Sequence, residues 1–84
     1  MPKIPRDVSG LKLAKLLEKY NYRITRQTGS HIRLVSNYNK DEHKLTIPSH
    51  AYIKIGTLNN ILRDVSNYIG ITKDELVNSL FNNE

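Results

Sequence analysis

The chain has 84 residues, with 13 lysines and arginines against 8 aspartates and glutamates, and it contains no cysteine. That length predicts one small domain over residues 1–84 that buries roughly 60–65% of its unfolded surface. The missing cysteines exclude a disulfide framework and a cysteine zinc finger. No apolar run approaches the roughly 20 residues needed to span a bilayer, and no signal-peptide pattern opens the sequence. These features predict a cytoplasmic protein without membrane contact. The formal net charge of +5 is unevenly placed. Residues 1–60 hold eleven Lys/Arg against four Asp/Glu, and residues 61–84 hold two against four. A basic body with an acidic end points to a polyanionic partner, most often nucleic acid.

Residues 1–8 read as an arm, because Pro2 and Pro5 disfavour helix. Ser9 is the expected N-cap of a first helix. Over Leu11–Tyr20, Leu13, Leu16, Leu17 and Tyr20 share one helical face with Ala14, opposite Lys12, Lys15, Glu18 and Lys19. Asn21 ends that helix. From Tyr22 to Thr28, Tyr22 and Ile24 alternate with Arg23 and Thr25, which is the period of a strand. Gly29-Ser30 makes a turn. A second, antiparallel strand then alternates His31 and Arg33 with Ile32 and Leu34.

Asn37–Glu42 reads as a polar loop, and His43, beside Asp41 and Glu42, as loop surface. A short third strand alternates Lys44 and Thr46 with Leu45 and Ile47 and stops at Pro48. Residues 49–56 look irregular. Thr57 is the expected cap of a second helix with Leu58, Ile61, Leu62 and Val65 on one face and Gly70 at its end. Thr72 and Glu75 have capping-box spacing. They precede a short third helix with Leu76, Val77, Leu80 and Phe81 as its apolar face.

The order predicts an α+β fold, α-β-β-β-α, with a short C-terminal helix added. Three antiparallel strands form the sheet, and the helices cover one face of it. Parity then decides what the other face carries. If Ile32 and Leu34 point to the core, His31 and Arg33 point away from it. Arg23, Thr25, Gln27, Lys44 and Thr46 join them on the open face. A one-residue bulge at the turn would reverse this placement of His31.

An imidazole among cations suits phosphodiester chemistry. Histidine is the side chain whose unperturbed pKa lies nearest neutrality. RNA carries its own nucleophile, the 2′-hydroxyl, so cleavage needs a base, an acid for the leaving oxygen and positive charge for the phosphorane. DNA lacks that hydroxyl. His31 is the candidate acid/base, with Arg26, Arg33 and Lys44 as phosphate ligands. Gly29 and Ser30 would let an RNA backbone approach. His50 is a possible second acid/base group. The histidines at 31, 43 and 50 lack zinc-motif spacing, so neither a metal nor a cofactor is expected. Tyr20 and Tyr22 read as core edges, whereas Tyr38 and Tyr52 lie in loops and could stack bases.

Several pieces occur in a specific order: Pro5-Arg6, Val8-Ser9-Gly10, Leu16-Leu17-Glu18-Lys19, Arg26-Gln27, Gly29-Ser30-His31, Ile47-Pro48, His50, Gly56-Thr57-Leu58 and Ile61-Leu62. Over about residues 4–65 this resembles the HicA (YcfA-like) family of toxins. The resemblance implies a double-stranded-RNA-binding-domain-like fold and a type II toxin–antitoxin role. It also implies endonucleolytic cleavage of mRNA that arrests growth, with the histidine of the Gly-Ser-His triplet, here His31, as the catalytic residue. A HicB-like antitoxin is the implied protein partner. Residues 63–69 and the tail from Thr72 exceed the shortest members of that family. The tail could dock on the core, meet the antitoxin or mediate self-association. Two other readings of the chain are a non-catalytic RNA-binding module of the same fold and a protein-interaction domain without RNA affinity.

Overall fold

The computed structural model describes residues 3–82. The expectations for Met1, Pro2 and the last two residues of the tail lie outside them. Helix α1 runs Gly10–Leu16, and the Ser9 hydroxyl accepts the Lys12 N–H at 3.0 Å as its cap. The apolar face predicted to Tyr20 continues, but Leu17–Tyr20 tightens into a 3₁₀ turn. Asn21 closes that turn at φ 65°, the left-handed conformation in which asparagine is one of the tolerated residues.

Strands β1 (Tyr22–Gln27), β2 (His31–Ser36) and β3 (His43–Pro48) form one antiparallel sheet in the order β1-β2-β3. Pro48 ends β3 without cost because an edge strand can spare its N–H. Strand β2 is central and keeps strict alternation, with Ile32 and Leu34 buried beside Leu45 and Ile47 of β3. Strand β1 is an edge and is bulged. Ile24 pairs with Leu34 and Arg26 with Arg33, leaving Thr25 unpaired between them.

Helix α2 spans Ile55–Ile69 and buries Leu58, Ile61, Leu62, Val65, Ser66 and Ile69. It starts two residues before Thr57, so the expected Thr57 cap is not formed. Lys54 holds the N-cap position and makes no side-chain cap bond. Gly70 ends the helix at φ 90°, where a left-handed residue is required. Helix α3 (Lys73–Phe81) has the full capping box. The Thr72 hydroxyl accepts the Glu75 N–H at 3.0 Å, and the Glu75 carboxylate accepts the Thr72 N–H at 2.9 Å.

The helices and the covered face of the sheet share one core, which includes Leu13, Leu17, Tyr22, Ile32, Leu34, Ile47, Leu62 and Leu76. The tail docks on this core rather than leaving a free face. Leu76, Val77 and Leu80 are buried, and Ser79 accepts hydrogen bonds from Lys19 Nζ (2.7 Å, to its carbonyl) and the Tyr20 hydroxyl (2.7 Å, to Oγ). Two expectations fail here. Ile24 is 46% exposed rather than core; it lies on an edge strand, which has a neighbouring strand on one side only. His43 is not loop surface. It opens β3 half-buried, its ring stacked 4.7 Å from that of Tyr68.

Candidate nucleic-acid interface

The site lies at the β1–β2 turn and on the sheet face that no helix covers. His31 is the first residue of β2, paired with Pro48 of β3, and it is exposed. No bulge interrupts β2, so its neighbour Ile32 points inward and His31 outward. The turn before it is held by Thr28. The Thr28 N–H donates to the His31 carbonyl at 2.9 Å, and its hydroxyl accepts the His31 N–H at 3.1 Å. On the other side Ser49 locks the same turn to the end of β3. Its N–H donates to the Ser30 carbonyl (3.0 Å) and its hydroxyl to the Gly29 carbonyl (2.8 Å). The His31 backbone is thus fixed from two directions while the ring faces solvent. Ser30 Oγ lies 2.9 Å from His31 Nδ1, and Nε2 has no hydrogen-bond partner among the described residues.

A concavity of about 280 Å³ brings His31 together with Arg26, Thr28, Arg33 and Thr46. Arg26 reaches it because of the bulge. Strict alternation from Tyr22 would turn Arg26 toward the helices. The extra residue at Thr25 shifts the pleat by one, so Arg26 comes opposite Arg33 on the open face. Gln27, opposite buried Ile32, moves to the covered side instead. A second concavity of about 440 Å³ shares Arg33 and Thr46 with the first and extends to Lys44. Among the described residues the one pair within ion-pair distance is His43 with Asp64. Arg26, Arg33 and Lys44 therefore carry no carboxylate partner, which leaves the face cationic and open to an anion.

The expected site residues do not all converge. Gly29 and Ser30 form the turn beside His31. A Cβ built on Gly29 would meet nothing within 4 Å, so backbone is accessible there. His50 is exposed two residues beyond Pro48, and it does not line the His31 concavity. Its carbonyl accepts the Gly10 N–H at 3.0 Å. Thr28 was missed as a site residue. Its signal was a hydroxyl residue opening a Thr-Gly-Ser turn, where hydroxyls bond nearby backbone.

The third histidine belongs to a different cluster, toward the opposite end of the strands. His43 Nε2 lies 3.3 Å from Asp64 Oδ1, and Nδ1 lies 2.6 Å from the Tyr22 hydroxyl. With Nε2–H donating to the carboxylate, Nδ1 accepts the Tyr22 O–H. The Tyr68 hydroxyl accepts the Asn39 N–H at 3.0 Å and donates to the Asp41 carbonyl, fastening the β2–β3 loop. Burial, more than the nearby Asp64 charge and Tyr68, pushes the Tyr22 hydroxyl far above its ordinary pKa.

Comparison with known proteins adds one finding. The model of the HicA toxin of bacterial toxin–antitoxin systems matches residues 10–66. No curated protein and no solved structure gives a match. The matched stretch runs from the first residue of α1 through the sheet and into α2, and it contains the whole His31 concavity. It stops short of α3. With about two thirds of its length matched, sheet, turn and cationic face included, the chain belongs to the HicA toxin family, the toxin half of a toxin–antitoxin pair.

Proposed function

We propose that this toxin is a metal-independent endoribonuclease that cleaves mRNA, with His31 as its general acid/base. The observation that carries the reading is an exposed imidazole in one concavity with two guanidinium groups, Arg26 and Arg33, which form no ion pair among the described residues. In the tautomer with Nδ1–H donating to Ser30 Oγ, Nε2 keeps a free lone pair. Nε2 takes the proton of the RNA 2′-hydroxyl, and the 2′-oxygen attacks the adjacent phosphorus. The bond from phosphorus to the 5′-oxygen breaks, and that oxygen takes a proton from an acid. The products are a 2′,3′-cyclic phosphate and a 5′-hydroxyl end. Arg26 and Arg33 stabilise the charge that builds on the phosphorane, and Lys44 holds a flanking phosphate. The acid is not among the side chains that line this concavity, and the candidate for it is His50, exposed two residues beyond Pro48. The reading treats residues 1–84 as one domain acting in the cytoplasm, neutralised by a HicB-like antitoxin that covers the cationic face.

The test is cleavage of a single-stranded RNA by the purified toxin. His31→Ala is expected to lower the rate by 10²-fold or more, the usual range for a lost acid–base group being about 10²–10⁴. EDTA is expected to leave the wild-type rate unchanged. Unchanged cleavage by a folded His31→Ala protein ends the proposal, and loss of activity in EDTA ends its metal-free form. His50→Ala is expected to flatten the alkaline limb of the pH–rate profile, because a general acid must be protonated to act. An unaltered profile assigns the acid to another group.

A further inference from the structure

A third groove, of about 460 Å³, lies outside the His31 concavity and is lined by Arg6, Tyr52, Ile53, Lys54 and Ile55. It forms where the N-terminal arm meets the segment between β3 and α2. The Ile53 N–H donates to the Val8 carbonyl at 2.8 Å and the Gly10 N–H to the His50 carbonyl at 3.0 Å, so the two segments run side by side. Gly10 permits this approach, because a Cβ there would sit 2.2 Å from the Pro48 carbonyl oxygen. Ile53 is buried and anchors the segment, while Tyr52 is 68% exposed. No ion pair engages Arg6 or Lys54 among the described residues, and the adjacent Asp7 forms none either.

An exposed aromatic ring that lines one groove with two cations is a pattern that grips single-stranded nucleic acid. The ring stacks a base, and the cations take the phosphates on either side. Chain connectivity bounds the distance from this groove to the proposed cleavage site. Tyr52 is four residues past Pro48, the cross-strand partner of His31, and four residues reach at most about 14 Å. We propose that Tyr52, Arg6 and Lys54 form a second subsite for the RNA substrate, in which Tyr52 stacks an unpaired base a few nucleotides from the scissile phosphate. The subsite rests on the ribonuclease reading above. It makes the substrate single-stranded on that side of the cut, because a base inside a duplex has no free face to offer the ring.

The experiment measures binding of the full-length His31→Ala protein to a short fluorescein-labelled oligoribonucleotide, alone and annealed to its complement, over a range of salt. Tyr52→Ala is expected to weaken binding of the single strand about tenfold or more. It leaves the salt slope, the duplex affinity and the thermal unfolding midpoint unchanged. Tyr52→Phe, which keeps the ring, retains the single-strand affinity. Lys54→Ala and Arg6→Ala each lower the slope of log affinity against log salt by about 0.7, the value for neutralising one phosphate fewer on a single strand. Unchanged single-strand affinity in Tyr52→Ala overturns the subsite. So does a loss confined to the duplex. If the wild type still cuts RNA in either case, the ribonuclease reading survives without the subsite. If Tyr52 governs binding but the wild type cuts nothing, the subsite stands and the cleavage reading falls. If the His31→Ala protein binds no RNA and the wild type cuts none, both fall.

Discussion

Three histidines in one small chain have three different fates, and their surroundings explain each. His31 sits where a central strand emerges from a turn clamped by Thr28 and Ser49, so its backbone is held while its ring faces solvent, touched at Nδ1 by Ser30 Oγ. His50 is exposed and lends its carbonyl to Gly10. His43 is spent on structure, joining Tyr22 to Asp64 and stacking on Tyr68. Replacing Tyr22 by Phe removes the donor to His43 and is expected to cost about 1–2 kcal/mol, read as a lower midpoint in urea unfolding. The pH dependence has a definite sign. Folding raises the Tyr22 pKa above its ordinary 10.0, so the unfolded chain loses that proton first. The contribution is complete below about pH 10 and is lost as pH rises through the folded value. Alkaline destabilisation should therefore be smaller in Tyr22→Phe than in the wild type.

At the scale of elements, caps and turns were legible because they are local. Ser9, Asn21, Gly70 and the Thr72–Glu75 pair each act within three or four residues of themselves, and all are found where the sequence places them. The capping box holds the Glu75 carboxyl below its ordinary pKa, first through the Thr72 N–H and then through the Thr72 side chain. A depressed carboxylate stabilises the fold above its unfolded pKa, and that share is lost as pH falls through the folded value. The acid-dependent loss of stability should therefore be smaller in Thr72→Ala, itself expected to cost about 1 kcal/mol, than in the wild type, read as the unfolding midpoint against pH. The bulge in β1 was not legible. Nothing in Ile24-Thr25-Arg26 departs from alternation. The extra residue shows only in the pairing with β2, which carries Arg26 to the open face. The start of α2 was misread for a related reason. Ile55 and Gly56 lack a capping side chain before them, and Lys54 enters the helix without one.

Across the whole molecule, one face of the sheet is given to stability and the other to charge. The helices bury the apolar side, and α3 extends that core beyond the region shared with the toxin family. Lys19 and Tyr20 hold α3 through Ser79, and Leu76, Val77 and Leu80 complete the packing. Ending the chain at Gly70 would uncover this surface. With roughly 1.5–3 kcal/mol per buried aliphatic side chain against total stabilities of about 5–15 kcal/mol, the shortened protein is expected to lose its cooperative thermal transition. A truncated protein that unfolds at the wild-type temperature would show α3 to be dispensable for folding.

The sequence by itself determined the element order, the caps at Ser9, Gly70 and Thr72, the outward parity of His31 and Arg33 in β2, and the family, because each rests on local chemistry or on an ordered string of residues. Only the tertiary structure decided which residues share the site. Arg26 arrives through a bulge and Thr46 through strand pairing, and a separate groove at Tyr52 forms where two segments far apart in the chain meet. It also moved His43 from the loop surface into a half-buried network with residues 21 positions away on either side. Such meetings depend on long-range pairing and packing, which no local pattern of side chains encodes.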